Sequence, residues 1–100
     1  MKHRLVISSL AQQEITDALL YYVNINPVLA ERFLNIIESA YISLEENPQH
    51  YSFFGDSTIL RSLAFEAFPY ILFFRIVENN VWVVALHNTQ QNPENFLNRS

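Results

Sequence analysis

Residues 70–87 read YILFFRIVENNVWVVALH. Two runs dense in β-branched and aromatic side chains flank Glu78-Asn79-Asn80, which predicts strands over 70–77 and 81–87 joined by a short turn. So short a link permits only an antiparallel hairpin, because a parallel return needs a crossover of about a dozen residues or more. In the second run Val81, Val83 and Ala85 alternate with Trp82, Val84 and Leu86. Both sets are apolar, so this strand is expected at the centre of a sheet, covered on both faces at least in the complexed protein, with His87 on the face of Val81, Val83 and Ala85. Working upstream, residues 59–65 form a third strand, separated from Tyr70 by Glu66-Ala67-Phe68-Pro69. The three make an antiparallel meander.

The first half of the chain changes period. Residues 2–8 alternate and predict a short strand whose polar start suits the edge or end of a sheet. Ser9 stands three residues before Gln12, the spacing of a capping box, and is expected to open a helix. Ala11, Ile15, Ala18, Leu19 and Tyr22 then recur at helical steps to about Val23. Asn26-Pro27 pairs a capping side chain with proline at the first helical position, where its missing N–H costs nothing. Ala30, Phe33, Leu34, Ile37, Tyr41 and Leu44 keep the period to Glu46, and Asn47-Pro48 stops it. Two helices so closely linked fold back as an antiparallel hairpin. Leu20, Tyr21, Leu29 and Ile36 lie off or at the margin of these stripes and are candidates for contact with a partner. Residues 49–58 keep no period and hold the chain's one glycine, Gly55, so they read as a loop. Residues 88–100 are rich in Asn and Gln, with Pro93 opening at most one helical turn. The expected architecture is α+β, one domain over residues 1–100 with a short C-terminal tail.

Composition narrows the chemistry. Half of the residues are apolar and 16% are charged, enough to bury a core. The absence of cysteine excludes disulfides, thiol nucleophiles and thiolate zinc sites, and fits a reducing cytoplasm. No apolar run approaches the roughly 20 residues of a membrane span, and the first residues lack a signal-peptide pattern, so a cytoplasmic, membrane-free protein is expected. The net charge of −4 has the wrong sign for holding phosphates, and direct DNA binding is not expected. One glycine leaves no phosphate-binding loop. His3 and His50 have no acidic residue at ligand spacing, so neither a metal nor another cofactor is expected. Glu45-Glu46 reads as a solvated helix end. Tyr70 and Trp82 are able to stack a base but, beside Leu72, Phe74 and Val84, are read as core. Mean hydropathy of +0.06 with 14% aromatic residues is high for so small a chain and implies apolar surface kept for a partner.

Ala30-Glu31-Arg32-Phe33, Phe68-Pro69-Tyr70 entering a strand that ends Arg75-Ile76, and His87 leading to Asn92-Pro93-Glu94-Asn95-Phe96 carry a family likeness. At these spacings and in this order the chain resembles the RelE/ParE superfamily of toxins from bacterial type II toxin–antitoxin modules, over nearly its whole length. With Arg61 in the strand before Phe68-Pro69-Tyr70, it is closer to the ParE branch. That resemblance implies a toxin that inhibits DNA gyrase by protein contact and is neutralised by a cognate antitoxin. The alternatives are a RelE-like mRNA endonuclease acting on the ribosome, or a relic that only binds antitoxin. The RelE branch uses basic and tyrosine side chains; here Ile71, Gln90, Gln91 and Phe96 stand at or near those positions. None of them carries a positive charge or a phenolic hydroxyl.

Cleavage through a 2′-hydroxyl needs a base, a cation for the phosphate and an acid for the leaving oxygen. Only Arg61, Arg75 and His87 are weak candidates, with the two arginines expected on one face of neighbouring strands. The structural reading has Arg61 and Arg75 pairing with Glu66, Glu78 or a C-terminal carboxylate, and His87 satisfied by a backbone carbonyl. The sites expected from this reading are therefore an antitoxin surface at Leu20, Tyr21, Leu29 and Ile36, and a target surface at His87, Gln90, Gln91, Phe96 and Arg99.

Overall fold

The computed structural model describes residues 2–90. Along the chain β1 (Arg4–Ile7), α1 (Ser9–Ile25), α2 (Pro27–Glu46) and a 3-10 turn (Pro48–His50) precede β2 (Arg61–Ala64), β3 (Tyr70–Val77) and β4 (Asn80–Asn88). The strands form one mixed sheet in the order β1-β4-β3-β2. β2, β3 and β4 are the expected antiparallel meander, and β1 pairs in parallel with β4. The helical hairpin and the meander together supply the long return that a parallel pairing requires.

The caps set the helix boundaries. Ser8, not Ser9, caps α1: its backbone is extended and its Oγ accepts from the Ala11 amide at 3.0 Å. The Gln12 side chain reaches Thr16 Oγ1 at 3.5 Å instead of turning back to close a capping box. α1 runs past Val23 to Ile25 because Asn26 serves both helices. Its N–H donates to the Tyr22 carbonyl at 2.8 Å, ending α1, while its Oδ1 accepts from the Val28 amide at 2.9 Å, starting α2. Residues 59 and 60 do not join β2, since the Ser57 hydroxyl accepts from the amides of Ile59 (3.1 Å) and Leu60 (2.8 Å) and holds them in a turn.

The main core lies between the helices and one face of the sheet. Phe33 is fully buried at its centre, with ring centroids of Tyr22, Phe68, Tyr70 and Phe65 at 5.3, 5.4, 5.5 and 6.1 Å. From the strands Leu72, Phe74, Val81, Val83 and Leu86 complete it.

β4 does not keep one parity. Phe73 pairs with Ala85 but Phe74 with Val83, so Val84 is an extra residue, a β-bulge. Before it, Val81 and Val83 face the helices; after it, Leu86 does. Ala85 is thereby moved to the opposite face, where it packs with Phe73, Val84, Ile71 and the loop residues Phe54 and Leu60. The cap of α1 and one residue within the helix bond the irregular stretch. The Ser8 hydroxyl donates to the Val84 carbonyl at 2.9 Å and Glu14 Oε1 accepts from the Leu86 amide at 3.1 Å.

The loop covers only part of that outer face. Towards β1 Trp82 is 42% exposed, so in the isolated chain β4 is not covered on both faces along its length and Trp82 is not core.

Candidate functional site

Arg61, Arg75 and His87 do not come together. Arg61 lies opposite Phe74 and shares the helix-facing side, whereas Arg75 lies opposite Trp82 on the outer side. The expectation of one face failed because the register pairs Arg61 with an even-numbered β3 residue, and side chains directly opposite point the same way. His87 sits opposite Ile71, about 13 Å along β3 from Arg75 at the usual rise per residue. The bulge separates it from Val81 and Val83.

Each group has a different environment. Arg61 Nη1 donates to the Tyr51 carbonyl at 2.6 Å and the Gln49 carbonyl at 3.5 Å, with the guanidinium 4.1 Å from the Phe53 ring centroid. It therefore pins the segment after the 3-10 turn, in place of the expected pairing with Glu66 or Glu78. Arg75 is exposed, and its guanidinium has neither a hydrogen bond nor an ion pair among the described residues. His87 is only 5% exposed, its ring centroid 6.1 Å from that of Phe73, so it does not present a contact surface. Tyr70 is buried too, and its hydroxyl is pushed up to about 12 by burial first, then by Tyr22 and Tyr21. It holds its proton throughout the physiological range. His3 Nε2 meets Gln49 Nε2 at 3.4 Å and the His50 ring packs on Tyr51. Among the described residues no three His, Cys, Asp or Glu converge to hold a metal.

The apolar candidates divide between two sides of the hairpin. Leu20 and Tyr21 on α1 are 54% and 59% exposed, while Leu29 and Ile36 on α2 are half-buried against the core. Tyr21 borders clefts of about 290 and 270 Å³ with Tyr70 and Asn88, at the end of the sheet. Ile36 borders a groove of about 330 Å³ between α2 and β2 with Ser39, Ser43, Tyr51 and Ala64. No residue is common to the two sides. The sequence reading missed Ile25 and Val28, 56% and 55% exposed where the helices join. The signal was present: two apolar residues flank the Asn26-Pro27 cap, where a helical turn has no neighbour to bury them. Gln90 is exposed, its amide donating to Asn88 Oδ1 at 2.9 Å. Gln91, Phe96 and Arg99 lie outside the described residues. No helix among the described residues is long and apolar enough to cross a membrane.

The model of a family described as the ParE toxin of the type II toxin-antitoxin system parDE matches residues 5–93. Among solved structures, a chain of the chromosomal ParDE TA system from P. aeruginosa has a similar fold. The TM-score is 0.73 at 17% identity, over 87% of this chain and 96% of that one. No curated protein matches the chain.

Proposed function

The chain belongs to the ParE toxin family of type II toxin–antitoxin systems, and on that premise we propose that it inhibits DNA gyrase by protein contact and is neutralised by a cognate antitoxin. The antitoxin covers the helical hairpin at Leu20, Tyr21, Leu29 and Ile36, with Ile25 and Val28 at its tip. The observation that carries this reading is the row of half-exposed apolar side chains from Leu20 to Val28 on a chain with few charges. Covering each contributes about 1 kcal/mol at roughly 25 cal/mol per Å², enough in sum to support tight binding after ordering costs. Contact inhibition is favoured over RNA cleavage by the separation of Arg61, Arg75 and His87 and by the engagement of Arg61 with backbone carbonyls.

Co-expression with the product of the adjacent reading frame tests the antitoxin. Tyr21→Glu together with Ile36→Glu is expected to abolish co-purification; unchanged association would place the antitoxin elsewhere. Expression alone is expected to stop division and induce a DNA-damage response while translation continues. Codon-positioned mRNA cleavage in its place would identify an endonuclease.

A further inference from the structure

The half of the outer sheet face towards β1 carries a group of side chains that belong to neither apolar core among the described residues. Val6, Trp82 and Arg75 stand side by side across β1, β4 and β3, and Arg4 lies beside Asn80 on the same face. The parity is fixed by their neighbours, since Leu5, Ile7, Ile76, Val81 and Val83 all pack into the core on the other side. Arg4 and Arg75 are both exposed, and neither guanidinium forms a hydrogen bond or ion pair among the described residues. Their Cα atoms are about 12 Å apart on a diagonal past Trp82, from the usual strand spacing and rise. Unlike the Arg61 guanidinium, which is engaged by carbonyls and a ring, these two flank an exposed indole with no partner among the described residues.

An indole half out of water on a rigid central strand retains apolar area that the monomer leaves unburied, and removing it from water is favourable. A guanidinium on either side presents planar donors suited to carboxylates. Tryptophan and arginine are also the residues over-represented where protein contacts concentrate their energy. Two cations on a chain of net charge −4 are too few for an electrostatically held polyanion, whose binding rests on many phosphate contacts. Together these features favour a protein carrying acidic and apolar groups over a nucleic acid.

We propose that this face, centred on Trp82 between Arg4 and Arg75, docks an acidic segment of the toxin's protein target, with an apolar side chain on the indole and carboxylates on the arginines. The inference rests on the reading of the chain as a toxin that acts by protein contact. It places a target contact on the outer sheet, away from the helical hairpin assigned to the antitoxin.

Growth arrest on expression without antitoxin reads the contact whatever the target is, and antitoxin co-purification reads the other surface. The Trp82→Ala and Arg75→Glu variants are each expected to lose arrest, in keeping with a loss of about 30-fold in target affinity, while remaining folded and still binding antitoxin. The Arg75 side chain is exposed and without a partner among the described residues, so its replacement tests the contact even if Trp82→Ala fails to fold. Arrest undiminished in Arg75→Glu would overturn the proposal, as would loss of antitoxin binding in a folded variant, which would assign the face to the antitoxin. A harmless wild-type chain in verified soluble expression would overturn the toxin reading itself, visible before any variant is compared. Trp82 is the only tryptophan, so its fluorescence reports on this face alone. Saturable quenching by a single-stranded oligothymidylate, lost in Arg75→Glu, would replace the protein occupant with a nucleic acid.

Discussion

Ser8→Ala removes one hydroxyl that holds two elements at once. Its Oγ caps α1 by accepting from the Ala11 amide, and the same hydroxyl donates to the Val84 carbonyl at the bulge of β4. Loss of the cap costs about 1 kcal/mol. A carbonyl left without its partner at a partly buried site adds about 1–3 kcal/mol. The expected total is about 2–4 kcal/mol, a large share of the roughly 5–15 kcal/mol that stabilises a domain of this size. Urea unfolding followed by circular dichroism would measure it as a lower midpoint at unchanged slope. Amide exchange would show where it acts, with protection lost first at Ala11 and around the bulge. Ser9→Ala is the internal control: Ser9 is exposed in the first turn and its replacement is expected to change stability by less than about 0.5 kcal/mol. If Ser9→Ala cost more than Ser8→Ala, or Ser8→Ala cost nothing measurable, the cap assignment and its link to the bulge would be wrong.

Phe33→Ala empties the centre of the aromatic cluster and is expected to cost about 3–5 kcal/mol in denaturant unfolding, enough to leave the chain marginally folded. Tyr70 supplies a pH dependence. The folded chain holds its proton to about pH 12 while the free side chain releases it near 10.0, so its contribution is complete below pH 10.0 and lost as pH rises toward 12. Unfolding midpoints should fall through that window, and Tyr70→Phe should flatten the fall.

Much of the architecture was determined by sequence alone, where the governing interactions are local. Asn26-Pro27 specified the break between the helices because both the cap and the proline act within one turn. Tyr70–Val77 was legible to its ends, since β-branched and aromatic density and a short turn are properties of the contiguous chain. Even the antiparallel meander followed from connection lengths. The functional surfaces were decided differently. The Ser8 hydroxyl that caps α1 also holds the Val84 carbonyl, which lies far away in sequence. Arg61 and Arg75 were sorted to opposite faces by a pairing register, and Ala85 and His87 were displaced from the face of Val81 by one extra residue in β4. Trp82 was exposed because the loop carrying Phe54 and Leu60 reaches Phe73 and Ala85 but not the half of the face beside β1. Alternation in a strand says that neighbours point to opposite faces, but a bulge resets that parity, and the face that is covered is chosen by segments distant in sequence that only folding brings alongside.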